Sequence, residues 1–500
     1  MDPTELNFAL LIAAGVLLAA VAAIRLAVHA GLPSLLVYLG IGLLLGEAGL
    51  GLQFEDADLT LVLGTLALAV ILAEGGLTTD WHTIRPVAPL AGVLATFGVA
   101  VSVLVTTGIV YLVLDVDLRT AILLGAVASS TDAAAVFAVL RSMPIKGRLR
   151  ATVEAESGFN DPPVIILVTV VTSDAWNDSS GAGILGQIGY QLVLGVFFGF
   201  VVAWAGTWLL ARTALPASGL YPVATLAIAF LAFAVSGVAG GSALMAIYVA
   251  GLTLGNSALP HRTTTASFAE GLAWVAQIGL FVLLGLLASP SRLVEALPYA
   301  LVVGGALTLV ARPVSVLVCA TPFRVPWREQ AFISWAGLRG AVPIVLATIP
   351  VSVGLAEAHR IFDVVFLLVV MFTLIQGPTL PWVARRTGAT ASEHPRAVDI
   401  ESAPLDELGA TLLQFSVGED SRLAGVEVAE LRLPAGATVT MILRNEQIFA
   451  PRSTTVLRKG DHVLVVGPRK DRDRIERRLR EVSDSGRLAR WYAGMSEATH

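Results

Sequence analysis

Long apolar stretches follow one another from residue 5 to residue 383, and short polar segments separate them. A helix needs about 20 apolar residues to cross the hydrocarbon core of a bilayer. Such stretches lie near 5–28, 34–53, 59–78, 87–114, 118–140, 149–172, 185–212, 220–239, 242–257, 267–289, 295–320, 327–350 and 360–383. The division between 220 and 257 depends on Gly240 and Gly241 alone. The pattern predicts an all-α polytopic membrane protein with about thirteen spans.

Two of these spans carry helix-interrupting residues in their middle. The fifth contains Ser130-Thr131-Asp132, whose side chains compete with the backbone for hydrogen bonds. Thr131 or Asp132 is expected to cap a half-helix that starts at Ala133. The twelfth contains 337–343 (GLRGAVP), with two glycines and a proline. These spans are seven apart, as two repeated six-span halves with one connecting span would require, and broken helices at matching positions point to a transport site.

The sixth span holds a polar cluster within the apolar run 149–172. Glu156, Ser157, Asn160 and Asp161 fall within one arc of roughly 140° on a helix. The prolines at 162–163 lack N–H groups, so carbonyls one turn earlier lose their helical donors. The result is a set of oxygen ligands at membrane depth. Oxygen ligands suit hard cations, and a carboxylate can hold a proton instead.

Beyond Arg386 the apolar pattern ends. We expect a transmembrane domain over 1–386, a polar linker over 387–407, a small α/β unit over 408–485 and a polar tail over 486–500. Alternation of apolar and polar residues predicts strands over 411–417, 437–444 and 461–467, followed by a charged helix over 469–482.

Composition agrees with a membrane protein. Of the 500 residues 55% are hydrophobic and 14% are charged, with a mean hydropathy of +0.77, whereas soluble proteins carry about 25% charged residues. The net charge of -5 says little about partners, because the charges concentrate in loops and in the C-terminal tail. The single cysteine, Cys319, excludes an internal disulfide and a cysteine-based metal site. The N-terminus has no basic leader, so it is expected to be a first span.

Basic residues predict the orientation in the membrane. With the N-terminus outside, one set of loops holds Arg25, Arg85, Arg141, Lys146, Arg148, Arg150, Arg212, Arg262, Arg324, Arg328, Arg385 and Arg386. The opposite loops hold Arg119, Arg292 and Arg360. Because cytoplasmic loops are enriched in basic residues, we predict a plasma membrane protein with its C-terminal unit in the cytoplasm.

Asp161 is the candidate for alternate binding of a proton and a cation, because it is a carboxyl within an apolar span. The arginine in the middle of the twelfth span, Arg339, needs an anionic partner, and we expect a Glu156–Arg339 ion pair. With Glu156 neutralised and Asn160 uncharged, one exchangeable carboxyl remains. That predicts an electroneutral exchange of one proton for one monovalent cation.

Other polar residues leave alternatives open. Asp132 is a cation ligand, a helix cap or both, and the same holds for Thr131. Ser157 faces the cluster, but serine is common at helix contacts in membranes. Glu74, near the cytoplasmic end of the third span, is either a cation ligand or a residue that marks the membrane interface.

Three motifs resemble those of the monovalent cation/proton antiporters, in the NhaP-like branch with an Asn-Asp pair. They are 128–132 (ASSTD), 156–161 (ESGFND) and 337–340 (GLRG), and the resemblance covers roughly 5–385. Pro162-Pro163 looks more like the potassium/proton subgroup than the sodium-specific proteins.

The resemblance implies a thirteen-span homodimer with crossed, unwound helices five and twelve, and elevator-type movement of a core domain. It implies Asp161 as the shared proton and cation carboxylate, and Glu156 with Arg339 as a supporting ion pair. Asn160 would orient the site. The cation shell would comprise Asp161, Asp132, Thr131, Ser157, Glu74 and Asn160. The cargo would be K+ or Na+ and H+, with no cofactor, in a role in ion, pH or volume homeostasis. The expected partners are the lipid bilayer and a second copy, and no nucleic acid.

The C-terminal segment resembles the TrkA-C (RCK-C) type of regulatory domain over about 75 residues, through its patterns at 422–434, 439–444 and 459–462. Such domains usually dimerise and often bind a small regulatory ligand, sometimes a nucleotide. No glycine-rich dinucleotide fingerprint occurs. A dimerisation module without a ligand is the alternative.

Other classes fit less well. An RCK-regulated potassium channel is the main alternative, but a selectivity filter of the TVGYG type does not occur. An intramembrane aspartyl protease would show a GxGD motif, whereas Asp161 follows Gly158-Phe159-Asn160. ATP-driven transport would need a Walker motif, which does not occur. The sequence therefore predicts a secondary antiporter that is not an enzyme.

Overall fold

The structure is a computed structural model. It describes residues 3–30, 34–47, 49, 51, 56–132, 135–136, 139–140, 143–173, 176, 181–213, 215–257, 259–390, 400–405, 410–418, 421–444 and 447–486. The chain forms two compact units, Met1–Ala391 and Ser392–His500. The first is helical, and the second is built around a small sheet.

Helices lie in each of the thirteen apolar ranges. The first half contains α1 (Pro3–Ala30), α2 (Ser34–Leu45), α3 (Ala57–Thr78), α4 (Ala88–Val113), α5 (Leu118–Ser129), α6 (Gly147–Phe159) and α7 (Asp161–Thr172). The second contains α8 (Gly181–Leu210), α9 (Leu220–Val238), α10 (Ala243–Gly255), α11 (Arg262–Leu287), α12 (Pro290–Ala320), α13 (Trp327–Trp335), α14 (Ala341–Ser352) and α15 (Ala358–Thr387). The helical membrane fold predicted from the sequence is confirmed.

Seven of the helices in the described part of the chain are long and apolar enough to cross a membrane by themselves: α3, α4, α8, α9, α11, α12 and α15. Shorter apolar helices, such as α5 and α14, flank the interruptions. The count of thirteen crossings stays a prediction.

The interruptions lie at the polar motifs. Helix α5 ends at Ser129, and 130–132 are not helical. Helix α13 ends at Trp335, and α14 begins at Ala341. A further break, which the single-helix interpretation of the sixth span did not include, separates α6 from α7 at Asn160. It lies directly before the proline pair, which cannot donate backbone hydrogen bonds.

Two spans contain a π-helical turn, Leu94–Gly98 in α4 and Ala306–Ala311 in α12. They are the fourth and eleventh spans, again seven apart. Such turns leave carbonyls without their regular helical donors and recur at functional sites. Ser315 of α12 donates its hydroxyl to the carbonyl of Gly98, with an Oγ–O distance of 2.6 Å. This bond joins α4 to α12.

Helices α3 and α10 approach each other closely at glycines. A Cβ on Gly76 would lie 2.6 Å from the carbonyl oxygen of Tyr248, and one on Gly251 would lie 2.7 Å from that of Ala73. Only glycine permits these contacts, and close backbone approach is a usual source of helix association in membranes. The contact fixes α10 beside α3.

The division left open between 220 and 257 is a tight turn. Helix α9 ends at Val238, and Gly240 adopts a φ of 76°, a left-handed conformation that favours glycine. Ser242 then accepts a hydrogen bond from the amide of Met245 as the N-cap of α10. The two helices are therefore separate elements.

The C-terminal unit contains one antiparallel sheet in the order β1-β2-β5-β3-β4, with α16 (Arg472–Ser485) after it. Its strands are β1 (Ile400–Leu405), β2 (Ala410–Ser416), β3 (Thr438–Arg444), β4 (Gln447–Phe449) and β5 (His462–Pro468). The three predicted strands are confirmed as β2, β3 and β5, and the predicted helix as α16. Helix α16 contributes Ile475, Leu479 and Val482 to the core of this unit.

The predicted linker, 387–407, contains β1, which pairs with β2 along its whole length. The folded unit therefore begins before residue 408, and the predicted boundary was too late. The residue pattern does not indicate this strand, because β1 reads IESAPL, without an apolar alternation. Most of the predicted polar tail, 487–500, lies outside the described residues.

A partly buried ion pair connects β3 to the turn before β5. Arg444 donates through Nε and Nη2 to the two carboxylate oxygens of Asp461, each at 2.7 Å. The hydrogen bond to this carboxylate raises the pKa of Arg444 further above its ordinary value. Asp461 also accepts from the amide of Arg458 at 2.8 Å. The pair fixes the chain direction into β5.

Candidate functional site

Asp161 begins α7 and is 1% exposed. Its Oδ1 accepts a hydrogen bond of 2.6 Å from the hydroxyl of Ser130, in the non-helical segment after α5. The N-terminus of a helix favours a negative charge, so α7 supports the ionised form of this carboxyl. The interruption in the fifth span and the break in the sixth meet at this residue.

A chain of polar side chains continues from Asp161. The side-chain nitrogen of Asn160, Nδ2, donates a hydrogen bond to Thr131 Oγ1. The hydroxyl of Thr131 in turn donates to Ser157 Oγ at 3.1 Å. All three residues are buried. With its nitrogen engaged in this way, Asn160 Oδ1 has no hydrogen-bond partner within the described part of the chain. An unpaired buried acceptor is costly unless something else occupies it.

Asp132 closes the end of a helix from the other half of the chain. Its Oδ2 accepts a hydrogen bond of 2.6 Å from the amide of Ala341, the first residue of α14, and its own amide donates to the carbonyl of Leu338 at 3.0 Å. Its Oδ1 also accepts from Ala135 at 3.4 Å, as an N-cap would. The predicted helix start, Ala133, lies outside the described residues. The carboxylate of Asp132 therefore caps helices, and its role as a ligand stays a proposal.

Gly340 makes the contact between Asp132 and α14 possible. A Cβ at this position would lie 1.9 Å from Asp132 Oδ2, so Gly340→Ala must displace the carboxylate from the N-terminus of α14. We expect Gly340→Ala to lower the free energy of unfolding by about 1–3 kcal/mol, the usual cost of overpacking, and to lower the exchange rate. Thermal unfolding in detergent and transport in vesicles measure the two effects.

Gly305→Ala is the matched control, because a Cβ at Gly305 meets no atom within 4 Å. It adds the same methyl group to another membrane helix. Equal behaviour of the two variants would contradict the importance of the contact between Asp132 and α14.

Glu156 is paired with Arg312, and the predicted Glu156–Arg339 pair was wrong. Arg312 Nη1 and Nη2 donate to Glu156 Oε1 and Oε2, each at 2.6 Å, in a bidentate pair that is almost completely buried. Arg312 follows the π-helical turn of α12. It lies within the apolar run 295–320, so the same intramembrane-charge signal that identified Arg339 was present for Arg312 and was overlooked.

Arg339 lies between the two interrupted halves of the twelfth span and is buried. Its Nε and Nη1 have no hydrogen-bond partner among the described residues. Asp161, Glu156 and Arg312 are close enough to act on its charge. Because Arg312 occupies both oxygens of Glu156, Arg339 is available as a counter-charge to Asp161.

Glu74 is the remaining predicted ligand. It is half-buried on α3, and its Oε1 lies 3.3 Å from the hydroxyl of Thr78 one turn later. The hydrogen bonds described above involve the other predicted ligands in three separate groups: Asp161 with Ser130, Asn160 with Thr131 and Ser157, and Asp132 with Ala341. Ser130 also belongs to the polar cluster, because its hydroxyl donates to Asp161. The sequence interpretation did not select it as a ligand, although it lies in the motif 128–132.

Comparison with known families divides the chain in the same way. The transmembrane model of the sodium/hydrogen exchangers matches residues 16–386, and the TrkA-C domain model matches residues 412–480.

Curated relatives cover most of the chain. It is 34% identical over 438 residues to the K(+)/H(+) antiporter NhaP2 of Shewanella baltica, which covers 86% of this chain and 76% of the relative. It is 33% identical over 413 residues to the K(+)/H(+) antiporter NhaP of Alkalimonas amylolytica, covering 81% and 71%. The Na(+)/H(+) antiporter NhaS2 of Synechocystis is 27% identical over 332 residues, covering 64% and 60%.

Among solved structures, the sodium proton antiporter MjNhaP1 of Methanocaldococcus jannaschii at pH 8 superposes with a TM-score of 0.67 at 21% identity, covering 77% of this chain and 99% of that one. This likeness shows a common fold. Together with the match over most of the helical unit, it establishes that the chain belongs to the sodium/hydrogen exchanger family of membrane transporters and carries a TrkA-C domain after its membrane part.

Proposed function

We propose that this protein exchanges a monovalent cation for a proton across the plasma membrane, with K+ preferred over Na+. The observation that carries the proposal is Asp161, a buried carboxylate that accepts a hydrogen bond from Ser130 and directly follows Asn160, whose side-chain oxygen has no hydrogen-bond partner among the described residues. Carboxylate, hydroxyl and amide oxygens are ligands for a hard cation. The same carboxylate binds a proton when the cation is absent.

The charges of the site support an exchange of one proton for one cation. Three buried carboxylates, Glu156, Asp132 and Asp161, face two buried guanidinium groups, Arg312 and Arg339. If all five are ionised, one negative charge remains. Because uncompensated charge is costly in a low-dielectric interior, one proton or one monovalent cation restores neutrality. The transporter would then carry the same charge in both directions of its cycle.

The proposed cation shell contains Asp161, Asn160, Thr131, Ser157 and Asp132, with Glu74 as a residue further from the centre. The preference for K+ draws support from the names of two relatives that are 33–34% identical to this chain, both K(+)/H(+) antiporters. In this group of residues Asp161 alone changes its occupant during the cycle, while the bond from Asn160 to Thr131 orients the site.

We propose that the protein is a homodimer in which a core carrying the interrupted spans moves against the remaining helices, as in an elevator. The N-terminus would lie outside and the TrkA-C unit in the cytoplasm. Helix-breaking residues at matching positions of the two halves support this cycle, because transporters commonly place their sites there.

The direct test is exchange in proteoliposomes with the purified full chain. Vesicles with an inward cation gradient are followed with a pH dye, using K+, Na+, Li+ and Rb+ in turn across pH. We expect the largest pH change with K+, at a rate that does not depend on an imposed membrane potential. Absence of cation-coupled proton movement would refute the antiport, and a rate that follows the potential would refute the one-to-one exchange.

We propose that the TrkA-C unit regulates exchange through the segment by which the chain leaves α15. Gly388 ends that helix in a left-handed conformation, with a φ of 69°. The carbonyl of Ala389 then accepts a hydrogen bond of 3.0 Å from the amide of Lys146, and Thr390 forms an antiparallel bridge with Ile145. The exit segment is therefore attached to the loop that starts α6, the helix that leads to Asp161.

Further contacts hold that loop firmly. Lys146 Nζ lies 3.0 Å from Glu329 Oε1 in the first turn of α13. Arg150 donates through Nη2 to the carbonyls of Leu140 and Met143, at 3.0 and 2.7 Å. A displacement of the exit segment would therefore act on the beginnings of both α6 and α13, which lead to the two halves of the ion site.

The variant Lys146→Pro tests this route. Proline removes the amide that donates to Ala389, and the φ of Lys146, -51°, is close to the value that proline requires. We expect Lys146→Pro to shift the dependence of exchange on pH and cation concentration in the same way as deletion of residues 400–500, with exchange retained. The measurement is the initial rate of exchange in vesicles.

Lys146→Met is its control, since methionine keeps the amide and removes only the ammonium group paired with Glu329. Coupling through the hydrogen bond from the Lys146 amide to Ala389 would be contradicted if Lys146→Pro left the dependence of exchange on pH and cation concentration unchanged. An equal change in Lys146→Pro and Lys146→Met would contradict it as well.

A further inference from the structure

A cavity of about 660 Å³ lies between the helices that lead to the ion site and two helices outside it. One wall is formed by α4 with Gly92 and Thr96, and by Phe159 and Pro163, which flank Asn160-Asp161. The other walls are formed by α8 and α10, and Trp81 lies at the rim. Pockets that hold small organic ligands have volumes of about 300–1,000 Å³.

The polar side chains of this cavity are already satisfied within the protein. Thr96 and Thr253 donate their hydroxyls to the carbonyls four residues earlier, at 2.7 and 2.8 Å. Asn256 donates to the carbonyls of Thr79 and Leu252 and accepts from the amide of Trp81. None of the lining residues is charged. The cavity therefore offers little to an ion or to water, which needs two to four polar partners.

The cavity is continuous with a lipid-facing surface. Its wall on α8 includes Val196 and Phe200, which are exposed on a helix with few buried residues in its apolar window. Exposed aliphatic and aromatic residues of such a helix face the hydrocarbon core of the bilayer, where alkyl chains are the abundant solute. We propose that the cavity holds one hydrocarbon chain of a membrane phospholipid.

The bound alkyl chain of the lipid would exclude water from the side of the ion site that faces this cavity. The lipid chain would contact Phe159 and Pro163, which line the cavity. These two residues flank Asn160 and Asp161 in the sequence. Water in this cavity would lower the cost of charge on the neighbouring polar cluster and open a side path for protons, and a bound alkyl chain excludes it. The binding site does not depend on the proposed exchange, so the two can fail separately.

Photo-crosslinking tests the proposal. The full chain is reconstituted in phosphatidylcholine and phosphatidylglycerol vesicles that contain a phosphatidylcholine with a diazirine in one acyl chain. After irradiation, the labelled residues are mapped by mass spectrometry. We expect label on the inner walls, at Val249 and Leu252, as well as on Leu112, which is 83% exposed on α4 and serves as the reference for bulk lipid.

Gly92→Phe is the blocking variant, because a Cβ at Gly92 meets no atom within 4 Å. We expect it to abolish the label at Val249 and Leu252 and to leave the label at Leu112. Thr253→Phe fills the same cavity from α10 and serves if the first variant does not assemble. The proposal would be overturned if Val249 and Leu252 carried no label in the unmodified chain. It would also be overturned if label at Val249 persisted in a blocking variant that assembles.

Discussion

Replacing Asp161 by asparagine is expected to reduce exchange to the background of empty vesicles while leaving the protein folded. Asparagine has nearly the size of aspartate and can still accept the hydrogen bond from Ser130. It cannot bind a proton at neutral pH or offer a cation a negative charge, so both halves of the exchange lose their carrier. The measurement is the recovery of a pH gradient in everted vesicles after addition of K+.

A binding measurement separates a transport defect from a structural one. A cation that binds the folded state raises its thermal stability by mass action. Unmodified protein should therefore unfold at higher temperature in K+ than in choline, and Asp161→Asn should show no such difference. Asp363→Asn is the matched control, since Asp363 is another buried carboxyl, 3.0 Å from Arg292, outside the proposed site. Exchange that persists in Asp161→Asn would refute the role of this carboxyl.

Breaking the pair between Glu156 and Arg312 is expected to have the largest effect on stability. Both side chains are buried, and neutralising either one leaves the other without its bidentate partner. Removing one member of such a pair usually costs about 3–5 kcal/mol. We therefore expect Glu156→Gln and Arg312→Gln to lower the folded yield and the unfolding temperature sharply, as measured by size-exclusion chromatography and thermal melting.

Two comparisons make this prediction specific. The double variant Glu156→Gln with Arg312→Gln should recover much of the lost stability, because it leaves no unpaired charge. Arg339→Gln should destabilise the protein less than Arg312→Gln and should change ion binding more. If Arg339→Gln were the more destabilising of the two, the pair expected from the sequence would be the important one after all.

Each long apolar run identified from the sequence contains a helix in the described part of the chain, because such runs have few alternatives in a membrane. The motif around Asp161 was equally clear, because carboxyls rarely occur in such runs unless they have a function. The pairing of charges was not accessible in the same way. Glu156 could meet either Arg312 or Arg339, and the choice depends on how α6, α12 and the break before α14 pack. Sequence spacing carries no information on that packing.

The helix ends show a similar limit. The Ser-Thr-Asp segment predicted an interruption and a cap, and Asp132 does accept from Ala135. Its second bond, to Ala341 of α14, joins segments 209 positions apart and could not be inferred. In the C-terminal unit, β1 was missed because its residues do not alternate. Pairing with β2 through backbone hydrogen bonds stabilises it whatever its side chains are.

The bond between Asp132 and the first amide of α14 has a consequence for how the chain acquires its site. During synthesis the amino-terminal half emerges with a carboxylate that caps only a helix of its own half, and the later half brings a helix whose first amide still lacks this acceptor. Neither portion alone possesses a finished ion pathway. The contact between the two halves therefore forms only after α14 has been synthesised.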